Sequence, residues 1–188
     1  MTVDLLRRPA QQLGPCPVIR TARLVLRPHR LEDADAIAHS LGDFAVTRML
    51  SRVPQPYHRQ DAVDWLTSEP AGPKPWNLAI TSDGNDHIGM VGLELRHGRW
   101  HIGYWLGRPH WGKGLMTEAA AAAIDRFFDA LPEATLYSGA FADNGASLRI
   151  QEKLGFRVTH SNQVYSLSRN AMAPHIETKL TRAEFRRP

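Results

Sequence analysis

Trp111-Gly112-Lys113-Gly114 stands directly before an alanine-rich run in which Met116, Ala120, Ala123, Ile124, Phe127 and Leu131 recur at helical spacing. A helix N-terminus leaves backbone N–H groups without partners and carries partial positive charge. Glycines just ahead of it let the main chain approach a bulky anion. The chemistry open to this stretch is therefore the holding of a phosphate, although a glycine pair can also serve an ordinary strand-to-helix turn. A nucleoside-triphosphate loop needs its lysine after the second glycine, and Lys113 lies between the two. A dinucleotide fingerprint needs a third glycine where Thr117 stands. What remains is a pyrophosphate loop of another kind.

The elements around the loop must position it. Arg23 to Arg27 reads as a first strand ended by Pro28, and Leu31 to Leu41 as a helix with Glu32, Asp33 and Asp35 in its first turn. Further helical stretches cover Phe44 to about Leu50 and Arg59 to Thr67, and Pro70 to Pro75 reads as a loop. Three strands with short turns follow, Trp76–Thr81, His87–Arg96 and Trp100–Leu106, which is an antiparallel meander. Gly89 and Gly92 in the middle strand either relieve crowding or mark a close approach by another backbone or a ligand. After the long helix come a strand Thr135–Phe141 and a short helix capped by Asn144 and ended by Gly155. Two closing strands, Arg157–Leu167 and roughly His175–Leu180, complete a mixed sheet with helices on both faces. Residues 1–18 read as an N-terminal extension that packs late or stays mobile, and 19–188 as one domain.

Composition excludes several classes. At 188 residues, 43% apolar and 22% charged, the chain suits a soluble globular domain. It has no membrane-length apolar run, no secretory signal, and only Cys16, so a cytoplasmic protein without an intrachain disulfide is expected. The formal charge of +4 is modest and scattered, which argues against nucleic acid and suits a cofactor bearing several phosphates.

Trp111 to Ala119, W-G-K-G-L-M-T-E-A, resembles the acyl-CoA loop of the GNAT superfamily of N-acyltransferases. It follows the tryptophan-first form of the branch related to ribosomal-protein N-terminal (alanine/serine) acetyltransferases, with Met116 in place of the usual small residue. Thr21 to Pro28, T-x-R-L-x-L-R-P, resembles the way that branch opens, and Asn144 to Phe156, N-x-x-S-x-x-x-x-x-K-L-G-F, is a further likeness. The fold this implies is α/β (α+β): a mixed, mostly antiparallel central sheet flanked by helices, acyl-CoA N-acyltransferase-like.

The resemblance also implies acetyl-CoA as acyl donor, no metal, and a primary amine as acceptor, either a protein N-terminus or a small molecule. The pantetheine arm would pair with the backbone of Tyr104, Trp105 and Leu106 in a V-shaped gap beside the strand Thr135–Phe141. The pyrophosphate would sit in the loop formed by Trp111, Gly112, Lys113, Gly114, Leu115, Met116 and Thr117, Lys113 being alternatively plain surface. Asn144 would cap its helix, reach the pantetheine, or both. The N–H of Trp105 or Leu106 would meet the oxyanion. Ser147 would hydrogen-bond the departing thiolate or merely satisfy its helix, and Gln151 stands where many relatives carry an acidic tyrosine. Where relatives place a basic glutamate this chain has His101, an imidazole able to accept a proton near neutral pH. Glu94, on the face shared with Ile88 and Met90, is the next candidate base, and water the third. Acceptor pockets would form near Leu41–Tyr57 and Ser161–His175, and a homodimer is compatible with all of this. A module that binds acyl-CoA without catalysis is the competing reading.

Overall fold

The computed structural model describes residues 12–68 and 74–188. Of the expected loop Pro70 to Pro75, residues 70–73 lie outside the described residues, as do residues 1–11 of the extension. Among the described residues eight strands form one sheet: β1 (Ile19–Arg20), β2 (Val25–Pro28), β3 (Trp76–Thr81), β4 (His87–Arg96), β5 (Arg99–Leu106), β6 (Leu136–Phe141), β7 (Arg157–Ser166) and β8 (Ala171–Leu180), in the order β1-β2-β3-β4-β5-β6-β8-β7. Every neighbouring pair is antiparallel except β5 with β6. The strand-helix-strand crossover through α4 (Leu115–Ala130) makes that one pair parallel.

Two apolar clusters hold the helices to opposite faces. On one face α4 lays Met116, Ala120, Ala123, Ile124 and Phe127 against Leu78, Val91, Leu93, Ile102 and Leu136. The alanines carry no bulk beyond a methyl, so the helix seats low on the sheet. Leu154 of α5 (Gly145–Leu154) and Leu13 of the N-terminal extension join the same cluster, and Trp76 Nε1 donates to the Gly14 carbonyl at 2.8 Å. On the other face α1 (Ala34–Gly42), α2 (Phe44–Thr47) and α3 (Arg59–Thr67) bury Ala34, Ile37, Leu41, Val46 and Ala62, with Trp105 packed against them.

Several expected boundaries move, each for a visible reason. The first long strand begins at Val25, because Thr21 and Leu24 close a turn (Thr21 N to Leu24 O, 2.9 Å) after the two-residue β1. Leu31–Asp33 is a turn of 3-10 helix, and α1 starts only at Ala34. The buried Asp33 carboxylate binds the Arg27 guanidinium through both oxygens (2.7 and 2.9 Å) and takes the Arg30 N–H at 2.8 Å, which fixes the chain there. α2 stops at Thr47 because Met49 and Leu50 bond three residues back. β8 begins at Ala171 rather than near His175, and Pro174 does not break it. The ladder to β6 ends at His175, so the missing N–H of Pro174 faces no partner strand on that side.

Candidate active site

The decisive feature lies between the two parallel strands. β5 and β6 pair only at Trp100–Leu136 and His101–Tyr137. One residue further, the Ser138 hydroxyl donates to the Ile102 carbonyl at 3.1 Å. Beyond that β6 stays on β8 while the end of β5 has no strand on its β6 side among the described residues, and a wedge opens. The carbonyls of Ile102 and Leu106 both point into the wedge, since Leu106 O accepts the Trp111 indole N–H at 2.8 Å. Gly107 N turns the other way, to Ile88 O of β4. Strand alternation therefore aims the N–H and C=O of Tyr104 and Leu106 at the wedge and those of Trp105 at β4. This corrects the expectation for Trp105: its backbone belongs to the ladder and its indole packs beside His87 in the second cluster. The Leu106 carbonyl already carries one hydrogen bond from Trp111, whose exposed indole thereby ties the loop to the strand end.

The loop delivers the chain to the wide end of that wedge. Gly112 and Gly114 both have φ +74°, a left-handed conformation that costs residues with a Cβ about 1–2 kcal/mol. Gly114 is the N-cap of α4, and the first intrahelical bond is Glu118 N to Gly114 O. The N–H groups of Leu115, Met116 and Thr117 take no partner among the described residues, as the first turn of a helix requires. Met116 turns its side chain into the core, so its bulk does not crowd the loop. The Lys113 side chain is exposed, and its carbonyl accepts from the Arg23 guanidinium at 3.0 Å.

α5 supplies the side chains below the loop. Asn144 Oδ1 caps the helix by accepting Ser147 N at 3.1 Å, while its Nδ2 has no partner among the described residues. The Thr178 hydroxyl donates to Gln151 Oε1 (2.8 Å) and Gln151 Nε2 donates to Ser147 Oγ (3.2 Å). Ser147 Oγ then donates to the Tyr104 hydroxyl (3.1 Å), which donates in turn to the Ser147 carbonyl at 3.3 Å. From Thr178 to Tyr104 the donors run from β8 through α5 to β5, and the Tyr104 hydroxyl then turns back to the α5 backbone. Burial pushes the Tyr104 phenol up, partly countered by the hydrogen bonds of Ser147 and Gln151.

His101 and Glu94 are paired across β5 and β4, on the face opposite α4. They are brought to each other but not to Ser147. Burial, with help from the Arg96 charge, pushes the His101 imidazole down to about 4, and its Nδ1 is buried without a partner among the described residues. Glu94 is gripped by Arg96 and Arg52, whose hydrogen bonds outweigh its burial and hold its carboxyl below the usual range. Of Ile88 and Met90, Met90 alone lies on its face. A bulge where Ile80 pairs with Gly89 and Thr81 with His87 sends Ile88 into the α4 cluster instead. Gly89 is required there, because a Cβ would lie 2.4 Å from the Trp105 carbonyl.

A wedge between parallel strands, with a glycine-capped helix at its mouth, has relatives. The acetyltransferase (GNAT) domain description matches residues 23–157. The chain belongs to the GNAT acetyltransferases. It is 31% identical over 145 residues to the uncharacterized N-acetyltransferase p20 of Bacillus licheniformis, covering 73% of this chain and 80% of that protein. Among solved structures it shares its fold with Mycobacterium smegmatis RimJ in complex with CoA-disulfide (TM-score 0.81, 18% identity, 94% of this chain and 92% of that one). It also shares the fold of the ribosomal-protein-S5-alanine acetyltransferase of Vibrio fischeri (TM-score 0.72, 17% identity, 91% of this chain and 100% of that one). The protein is thus an N-acetyltransferase, with acetyl-CoA as donor and an amine as acceptor.

Three features of this acetyltransferase escape a reading of its sequence. The Tyr104 hydroxyl is one: strand parity puts its ring on the α4 face, but nothing local says that α5 lies beneath it. The clamp on the loop is another. Glu118 accepts from Thr21 Oγ1 (2.6 Å), Arg23 N (3.0 Å) and Arg23 Nε (2.7 Å), which joins the opening motif to the acyl-CoA loop. Opposite charges at motif positions in both stretches are the signal that could have found it. The third is the tie between the expected acceptor segments. Ser51 O accepts Leu167 N at 3.0 Å, Arg48 O accepts Arg169 Nε at 2.6 Å, and Asp143 beside the α5 cap is held by both arginines.

Proposed function

We propose that the protein moves the acetyl group of acetyl-CoA to a primary amine, a protein N-terminus or a small molecule, by direct attack within a ternary complex. Residues 19–188 form the acetyltransferase domain in this reading and 1–18 its extension. One observation carries it: β5 leaves β6 after His101–Tyr137, so the wedge exposes strand backbone directly below the bare N–H groups of α4. The diphosphate of the donor would take the amides of Gly112 to Thr117, with Trp111 and Lys113 alongside. The pantetheine would take the backbone of Tyr104 and Leu106 and the free Nδ2 of Asn144.

The amine attacks the thioester carbon with its lone pair, and the carbonyl oxygen gains negative charge. Leu106, expected to meet it, lies five strand residues (about 16 Å) from the closed end of the wedge, so the Tyr104 N–H, which also faces the wedge, is the nearer backbone donor. Collapse breaks the C–S bond and releases a thiolate. Ser147 has been expected to serve that sulfur, but its hydroxyl hydrogen is directed at Tyr104, and the Tyr104 hydrogen is held only by the long 3.3 Å bond. Tyr104 O–H is therefore the donor, and Ser147, Gln151 and Thr178 hold it in place. The amine proton leaves after attack, to neutral His101 directly or through water; Glu94, paired with two arginines, stays charged behind it.

Cys16 takes no covalent role, since burial pushes its thiol up to about 11 and its Sγ donates to the Asn77 carbonyl. Initial rates of thiol release, measured against acetyl-CoA at several concentrations of each of a panel of primary amines, should give intersecting double-reciprocal lines. Parallel lines would mean an acetylated enzyme and overturn the direct-attack reading.

A further inference from the structure

We infer that the acceptor of this enzyme carries an anionic group, and that Arg99 and Lys179 bind it; the inference rests on the acetyl-transfer reading above. On the sheet face opposite α4 lies an open cleft of about 620 Å³, lined among others by Arg96, Arg99, His101, Tyr137, Glu177 and Lys179. His101 and Tyr137 are also the last paired residues of β5 and β6. The cleft therefore begins where the wedge closes, which is where a donor running down the wedge presents its acetyl end. An amine entering from the cleft meets that carbon, and the remainder of the acceptor stays among the cleft residues.

Charge decides what that remainder is. Arg96 and Arg52 share the single Glu94 carboxylate, so this trio keeps one net positive charge. Glu177 accepts from Asn162 (3.3 Å) and lies 3.1 Å from His175, which burial keeps neutral, so it remains one negative charge in the cleft against the cations around it. Arg99 and Lys179 are exposed and form no ion pair among the described residues, Arg99 lying over the Tyr137 ring at 5.2 Å. Two further nitrogens of lining residues, Arg96 Nε and His101 Nδ1, are buried without a hydrogen-bond partner among the described residues. A second ammonium on the acceptor would face these cations; a carboxylate or phosphate would complement them. Polyamines and aminoglycosides are thereby disfavoured, and amines joined to an acidic group are favoured.

Calorimetry on the CoA-loaded protein separates the charge classes without needing turnover. The probes are Ser-Glu-amide, Ser-Gln-amide and Ser-Lys-amide, with O-phosphoethanolamine against ethanolamine. The acidic member of each set should bind at least about tenfold tighter than its neutral counterpart, and the lysyl peptide weakest. Arg99→Gln combined with Lys179→Gln, both at exposed positions, should erase that preference while the Kd for CoA stays unchanged. Equal binding across charge, preference for the lysyl peptide, or an acidic preference that survives the double variant would overturn the inference. No binding of any probe to protein that holds CoA would overturn it as well, leaving acetyl transfer standing. Failure to bind CoA would remove the reading beneath it.

Discussion

The direction of the hydrogen bonds around Ser147 separates two roles that its position alone cannot. With Gln151 donating to Ser147 and Ser147 donating to Tyr104, the phenolic hydrogen, held only by its 3.3 Å bond to the Ser147 carbonyl, is the one left to follow a leaving thiolate. Tyr104→Phe should lower kcat by on the order of 10²-fold with little change in acetyl-CoA affinity. Ser147→Ala should cost less, because the Gln151 amide can then donate to Tyr104 directly. Single-turnover thiol release measures both, and a larger loss in Ser147→Ala would reverse the assignment. His101 gives a prediction of a different kind. Its folded value near 4 keeps the imidazole neutral, and able to accept a proton, at every pH above that. The ratio of wild-type to His101→Gln rates should hold constant from about pH 5.5 to 8 and shrink only as the imidazole protonates below that. An inflection near the ordinary histidine value of about 6.5 would show a solvated ring and remove it from the buried position described.

At the level of elements, the loop is held by conformation and by a clamp. Gly114→Val introduces a β-branched residue at φ +74°, a strain of about 1–3 kcal/mol at the cap of α4, and should weaken CoA binding at least about tenfold in protein with unchanged circular dichroism. Unaltered affinity would mean that the α4 N-terminus does not hold the phosphates. The loop and its helix were legible in the sequence because glycine spacing and a 3.6-residue apolar period are local signals. The meander was legible for the same reason, its strands being joined by short polar turns. The wedge was not, because pairing that stops after two residues depends on which strands lie side by side. It entered only through the likeness to known acetyltransferases. Likewise the role of Thr21 and Arg23 needs a contact with Glu118, 97 and 95 residues further along the chain. The Ile88 bulge defeated a parity argument that assumed an unbroken strand.

Across the whole molecule, buried histidines and paired carboxylates respond differently to acid. His87, buried beside His29 and Trp105 under α1 to α3, and His101 in the cleft are both pushed down to about 4, mainly by burial. Each stays neutral in the folded chain while the unfolded chain takes up a proton near pH 6.5, so stability should fall as pH drops from about 6.5 towards 4. The paired carboxylates act elsewhere. Asp33, held well below the usual range by Arg27, His29 and the Arg30 N–H despite its burial, contributes fully above about pH 4 and loses its share only below that. The interval between pH 6.5 and 4.5 therefore reports the histidines. His87→Gln should flatten the decline of Tm over that interval, and an unchanged slope would show that His87 is hydrated in the native state.

The central claim is that the open edge of β5 and the bare amides of α4 together hold coenzyme A. Titration of the protein with free CoA in a calorimeter tests it most directly, because no acceptor is needed. Saturable one-to-one binding, weakened in Gly114→Val but not in Arg99→Gln with Lys179→Gln, is the predicted result. Absence of binding by the wild-type protein across salt and pH would contradict it.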